Sequence, residues 1–149
     1  MSALRRPVYA QMTEEFGPII DMDEVRVRMQ AAERPWGRWT VLTEGVGYKV
    51  KVIEVRPGHR LSLQFHRYRS EHWVVASGKA RVVIDDQVVE LPPLESAVIP
   101  VGVVHRLENP GADPLVVVEV QQGEILSEED IVRLEDDYHR ADARVTSDE

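Results

Sequence analysis

Cysteine is absent from this chain of 149 residues. Disulfide bonds and thiolate metal sites are therefore excluded, and any bound metal must be held by imidazole, carboxylate or amide groups. Basic residues are in deficit: 18 Lys and Arg stand against 26 Asp and Glu, a formal net charge of -8. An acidic chain offers no general surface to nucleic-acid phosphates, so no nucleic acid is expected as partner. A small phosphorylated ligand stays open, because a local Arg or Lys cluster overrides the global sign. No apolar run approaches the length needed to span a bilayer, and the start, Met1-Ser-Ala-Leu-Arg-Arg-Pro7, lacks the apolar stretch of a signal peptide. The expectation is a cytoplasmic protein with no membrane partner. Tandem repeats and a βαβ alternation are missing too.

What is present is one domain's length of chain with an ordinary globular composition, 43% hydrophobic and 30% charged. Residues 1–33 read as an N-terminal arm that packs on the main body or on a second subunit. Within it Asp23 to Ala32 fits a short helix, and Val25, Val27 and Met29 fit an alternating strand about as well. From Arg34 the texture changes. A rigid loop, Arg34-Pro-Trp-Gly37, precedes short β-rich runs over 38–43, 48–56, 60–66, 71–77, 80–85, 87–91, 96–100, 103–108 and 115–121. Gly, Pro, Asn and Asp punctuate them. Many short strands at close spacing predict an all-β sandwich or barrel over 34–126. Residues 127–149 read as a short C-terminal helix and a frayed tail: Ser127 caps it with Asp130 at the capping-box position, and Ile131, Leu134 and Tyr138 form an apolar stripe.

The chemistry concentrates in 57–78. Gln64 and His66 sit two apart, so on a strand they share a face. Glu71 opens the next apolar run after a short polar stretch, and His105 lies in a later run. If those strands pair, one amide oxygen, two imidazoles and one carboxylate converge as a cage for a divalent metal. His72 faces away from Glu71, and His59 sits in a turn and is expected to be exposed. Trp73 shares Glu71's face and either walls a pocket or is plain core. Lys49 and Lys51 alternate with valines and mark either a solvent face or a site. Glu119 and Gln121 lie on one face of a strongly apolar strand, where a polar group needs a partner or a task. Glu119, with Lys51, is a candidate proton carrier.

Gly58, Gln64, His66, Glu71 and Gly78 have the spacing of the first cupin motif, and Pro100, Gly102, His105 and Asn109 match the second, with Leu94 where that motif usually starts on glycine. A closer likeness runs from Arg34 to Arg140. Arg34-Pro-Trp-Gly37, Leu61-Ser-Leu-Gln-Phe-His66, Arg69-Ser-Glu-His-Trp73, Val104-His-Arg-Leu-Glu-Asn-Pro110, Glu119-Val-Gln121 and Asp130-Ile-Val-Arg133 resemble the type II mannose-6-phosphate isomerase domain. That domain is the isomerase half of a bifunctional family that also carries a mannose-1-phosphate guanylyltransferase domain. This chain is too short to hold the second domain, so the resemblance implies the isomerase half alone. It also implies a double-stranded β-helix, the cupin jelly-roll barrel, and a role in carbohydrate metabolism and polysaccharide biosynthesis. The activity implied is metal-dependent interconversion of mannose 6-phosphate and fructose 6-phosphate through an enediol(ate). Zinc is the metal it favours, with cobalt, manganese, nickel or iron fitting the same donors. Arg69 is the favoured phosphate anchor, with Arg106 and Arg140 behind it. Trp73 and Gln121 are further substrate contacts, and a homodimer is the usual cupin state. Rival readings are a non-catalytic sugar-phosphate or sugar-nucleotide binding cupin, and a cupin oxygenase or decarboxylase.

Overall fold

A computed structural model describes residues 30–140. In chain order its strands are β1 (Ala31–Arg34), β2 (Gly37–Gly45), β3 (Tyr48–Val55), β4 (Leu63–Phe65), β5 (Arg69–Ser77), β6 (Ala80–Ile84), β7 (Gln87–Leu91), β8 (Ser96–Ile99), β9 (His105–Glu108), β10 (Leu115–Gly123) and β11 (Val132–Glu135). They form two sheets with the orders β1-β2-β3-β10-β5-β8 and β11-β4-β9-β6-β7. Neighbouring strands run antiparallel. The architecture is the all-β barrel that the strand spacing predicts, in the jelly-roll form that the resemblance implies. Among the described residues no helix is long and apolar enough to cross a membrane.

The three central strands of the larger sheet explain where the site lies. Each alternates buried and half-buried residues, the period-2 signature of a strand with one inward face. The inward series are Lys49, Lys51, Ile53 and Val55 on β3, Arg69, Glu71, Trp73 and Val75 on β5, and Leu115, Val117, Glu119 and Gln121 on β10. The register aligns like with like. Leu115 lies opposite Val55, and Val117 opposite Ile53 and Val75; Glu119 lies opposite Lys51 and Trp73, and Gln121 opposite Lys49 and Glu71. One end of the interior is therefore apolar and the other polar. The apolar end merges with Trp36, Val82, Leu91, Ile99 and Leu107 into a single core. Each such side chain contributes about 1.5–3 kcal/mol on burial, which offsets the cost of enclosing charged groups at the other end. Lys49 and Lys51 thus point inward rather than to solvent.

The expected C-terminal helix does not form. Ser127 does start a turn, with its Oγ accepting from Glu129 N–H at 3.1 Å and its carbonyl from Asp130 N–H at 3.1 Å. The turn is not propagated, and Val132–Glu135 extend instead as β11 along the open edge of β4. An unpaired strand edge offers a row of backbone donors and acceptors, and these outweigh a weak local helix preference. The helical stripe of Ile131, Leu134 and Tyr138 is accordingly split; Ile131 and Arg133, two apart, face the interior cavity. At the other terminus, β1 pairs with β2, so the end of the expected arm is sheet. The helix-or-strand alternative over 23–32 and the tail after Arg140 fall, apart from Gln30 to Ala32, outside the described residues. His59 is half-buried rather than exposed, stacked on Tyr138 with its Nδ1 2.7 Å from the phenol oxygen.

Four positions in the cupin-like motifs, Gly58, Gly78, Leu94 and Gly102, have a left-handed backbone, and two of them are informative. Gly78 has φ +82°, and a Cβ there would lie 2.6 Å from the Pro114 carbonyl. Leu94 also has a positive φ, 76°, at the third position of a Pro92-Pro-Leu-Glu95 turn closed by Glu95 N–H to Pro92 C=O at 3.2 Å. That is a type II turn, whose third position favours glycine. Leucine is strained there, and its side chain is 91% exposed, so it gains little from packing. Leu94→Gly is expected to stabilise the fold by about 1 kcal/mol, read as a higher urea midpoint at unchanged slope.

Candidate metal centre and its pocket

His66 leaves the end of β4, Glu71 is the third residue of β5, and His105 begins β9. Gln64 pairs in register with His105 within the smaller sheet, and Glu71 meets them from the larger one. His66, Glu71 and His105 are buried, and one ligand atom from each lies within 4.8 Å of the others. The imidazole rings are 4.9 Å apart, and Trp73 meets His105 edge-on at 5.4 Å.

The hydrogen bonds fix which nitrogen of each ring faces the centre. His66 Nδ1 donates to the Asp130 carbonyl at 2.6 Å, and His105 Nδ1 donates to the Val103 carbonyl at 2.8 Å. A carbonyl only accepts, so in each neutral ring the proton sits on Nδ1 and Nε2 carries a lone pair. Both Nε2 atoms face Glu71, at 3.0 Å for His66 and 3.7 Å for His105. Burial lowers the pKa of His105, against the pull of Glu71, so that ring favours its neutral form. Its Nε2 is fully buried and has no hydrogen-bond partner. A lone pair without a donor, beside a carboxylate, is an arrangement that a cation completes and a proton-free interior does not. These three residues could hold a metal ion, and the chemistry of the donors fits one.

A second carboxyl group stands next to the first. Trp73 Nε1–H is shared between Glu71 Oε2 and Glu119 Oε1, 3.1 Å from each. Gln121 Nε2 donates to the other oxygen of Glu119 at 3.3 Å. The two acids are driven in opposite directions. Burial pushes the Glu71 carboxyl up, but a hydrogen bond and positive charge at His66 Nε2, the place a metal cation would take, outweigh it together with Glu119 and His105 and hold it well below the usual carboxylate range. Burial and then the neighbouring charge of Glu71 push Glu119 well above that range, despite Lys51 and Arg69. The two carboxyls are thus pushed apart, Glu71 toward its ionised form and Glu119 toward its protonated one.

A cavity opens onto these groups, with about 680 Å³ of free space including its mouth. Of the residues singled out from the sequence, Gln64, Arg69, Glu71, Trp73, Lys51, Glu119, Gln121 and Arg140 line it. Gln64 is held by a hydrogen bond from Ser62 Oγ to its Oε1 at 2.7 Å. Arg106 is not brought to the cavity; its guanidinium donates to the Leu61 carbonyl and to Glu135, tying β9 to the chain before β4 and to β11. Arg69 does reach the site, but its Nε donates to Glu71 at 3.0 Å, its Nη1 to the Ser127 carbonyl at 3.0 Å, and its Nη2 lies 3.4 Å from His66 Nε2. It grips the carboxylate of the cluster. Lys51 is ion-paired with Glu128, and its ammonium sits 4.3 Å from the centre of the Trp39 ring.

The segment from Leu126 to Asp130 crosses the polar end of the interior, and sequence reasoning missed it. Its carbonyls accept from Lys49 (Leu126), Arg69 (Ser127) and His66 (Asp130), and Glu128 meets Lys51. The Asp130 carboxylate, 8% exposed, accepts from the backbone N–H groups of Arg67 and Tyr68 at 2.8 and 3.0 Å. It thereby sets the turn that carries His66 to Glu71. The acidic run Glu128-Glu-Asp130 was the available signal, read from sequence as the charged start of a helix. Asp130→Ala is expected to weaken divalent-metal binding about 10–100-fold, as loss of a group that orients a metal ligand does, while Asp130→Asn, which keeps one of the two acceptors, falls between it and wild type; metal titration by calorimetry distinguishes them.

The two sheets and the buried His/Glu/His cluster place this protein among the cupins, the double-stranded β-helix proteins. A structure titled as an uncharacterized conserved protein with a double-stranded β-helix domain, from Klebsiella pneumoniae, matches 80% of this chain and 98% of its own at 22% identity, with a TM-score of 0.61. Within that class, residues 21–136 match the family model described as mannose-6-phosphate isomerase C-terminal, and the chain belongs to that family. It is 51% identical over 107 residues to the xanthan biosynthesis protein XanB of Xanthomonas campestris, covering 72% of this chain and 23% of that one. It is 50% identical over 107 residues to the mannose-1-phosphate guanylyltransferase ManC of Salmonella typhimurium, covering 72% of this chain and 22% of that one. The match thus spans under a quarter of the length of these curated relatives.

Proposed function

We propose that this chain is a metal-dependent aldose–ketose isomerase that interconverts mannose 6-phosphate and fructose 6-phosphate. The observation that carries the reading is two carboxyls sharing the Trp73 indole N–H, Glu71 in a metal-type cluster and driven toward its ionised form, Glu119 beside it and driven the other way, both facing one cavity. Membership of the isomerase family supports the substrate class.

In this reading Gln64, His66, Glu71 and His105 hold the ion, for which zinc is our assignment. When bound, the ion would polarise the sugar's oxygens and stabilise developing negative charge. Isomerisation moves one proton between C1 and C2, which requires a group that both gives and takes a proton. Glu119 is that group. Burial raises its pKa, so its deprotonated form is basic enough to accept a carbon-bound proton and its protonated form can return it, and Trp73 and Gln121 fix its orientation. Lys51, engaged by Glu128, is better suited to binding negative charge than to taking a proton. Arg69 positions Glu71. Gln121 Oε1, fully buried and without a partner, is left to accept from a sugar hydroxyl.

A coupled isomerase assay before and after chelation, with metal re-addition, tests this. Activity lost with the metal and recovered with it is the expected result. Full turnover by protein measured to be metal-free, or none by metal-loaded protein, would remove the reading. His66→Ala and His105→Ala are expected to be inactive although folded.

A further inference from the structure

We propose that Lys51 and Arg34, both set over the Trp39 indole, form a phosphate subsite, and that the Glu128 carboxylate occupies it until a phosphate group displaces it. The inference rests on the isomerase reading for which phosphate compound arrives, and on geometry for the rest.

Four observations carry it. First, Arg69 has its guanidinium engaged by Glu71, Ser127 and His66, and it is 5% exposed. A phosphate would have to break up the metal-type cluster to take it. Second, Lys51 and Arg34 both line the cavity, and both cations lie over one ring: Nζ is 4.3 Å and the guanidinium carbon 5.7 Å from the Trp39 centroid. Two cations against one indole in one cavity make a local positive field that draws an anion, while the ring steadies each. Third, an anion does join Lys51. Glu128 reaches in from the segment after β10, lines the same cavity and pairs with the ammonium. Fourth, the two ends of that pair differ in exposure: the Lys51 side chain is 4% exposed and that of Glu128 37%. The lysine is fixed within the barrel, whereas the carboxylate sits at the mouth and regains water when it leaves. A carboxylate on a buried cation at a cavity entrance is a stand-in for a more highly charged oxyanion, which makes more and stronger hydrogen bonds to the same donors.

The arrangement gives Glu128 two effects. Against phosphate it is a competitor, so it weakens binding. Against uncharged sugars it is a filter, since a ligand with no anionic group cannot release the lysine from it.

Inorganic phosphate is the probe, titrated calorimetrically into the full chain. A bound metal also attracts phosphate, so each titration is run on metal-loaded and on chelated protein. Glu128→Gln is expected to bind phosphate roughly five- to tenfold more tightly in both states, the size of one partly buried ion pair. Lys51→Gln and Arg34→Gln are each expected to bind it at least about tenfold more weakly. Unchanged affinity in Glu128→Gln overturns the proposal, as does wild-type affinity in the two cation variants. Thermal melts accompany every variant; if Lys51→Gln fails to fold, half-buried Arg34 decides. Binding is read without turnover, so the two readings separate. The expected pattern in a protein without isomerase activity keeps the subsite and discards the isomerase. Isomerase activity with phosphate affinity unmoved by all three substitutions discards the subsite alone.

Discussion

Replacing Glu71 with glutamine is expected to lower divalent-metal affinity by more than about 100-fold and to abolish isomerase activity. Groups that only orient a metal ligand account for about 10–100-fold, and Glu71 is the one anionic member of the proposed cage. Its two oxygens meet His66 Nε2, Arg69 Nε, Trp73 Nε1 and His105 Nε2. Glutamine keeps the shape and one acceptor but removes the charge and introduces an N–H₂ group. That group can donate to an imidazole lone pair, so the variant satisfies internally what the wild type leaves for a cation. Arg69, buried and stripped of its anion, makes the variant less stable than wild type. Metal content after dialysis, calorimetric titration and the coupled assay measure the effect. A Glu71→Gln protein that still carries one tightly held metal per chain would show that the cluster is not the metal centre.

Glu119→Gln is expected to reduce kcat by about 10²–10⁴-fold, the usual contribution of a positioned acid–base group, with metal content unchanged. Glutamine preserves the acceptor for Trp73 and a polar contact for Gln121 but cannot carry the proton. Stability should move the other way. The folded-state pKa of Glu119 lies well above its ordinary value of 4.5, so the folded protein keeps a proton that the unfolded chain releases. Its stabilising contribution is therefore complete below about 4.5 and lost as pH rises through the folded value. At pH 8 the wild type bears a penalty that the glutamine variant escapes. Urea denaturation of the chelated proteins should find Glu119→Gln gaining on wild type between pH 5 and pH 8. A variant that keeps wild-type kcat would take Glu119 out of the chemistry. A variant that loses kcat together with its metal would reassign it to holding the cluster.

These expectations draw unequally on sequence and on structure. The strand run from β2 to β10 was legible because one inward face repeats with period 2, and glycine and proline mark the turns. Leu94 shows how local such information is: the sequence places it where a glycine usually stands, and its backbone takes the positive φ that a glycine would take. Gln64, His66, Glu71 and His105 were legible through their spacing and motif context. The sign of the inward lysines was not. Lys49 and Lys51 alternate with valines as a solvent face would, and only pairing with Glu119 and Gln121 on β10 turns them inside.

By itself, the sequence determined that the protein is all-β and that any metal must be held without thiolate, and it singled out His66, Glu71 and His105, which the structure brings together. These follow from residue type and from period along one strand. Tertiary structure alone decided the fate of residues 126–135. Their local signals favour a helix, but the free edge of β4 and the buried donors of Lys49, Lys51, His66 and Arg69 lie far away in the chain. Unpaired backbone at a sheet edge and charge enclosed in a barrel cost more than a short helix returns, so the segment is held by partners that no local window contains.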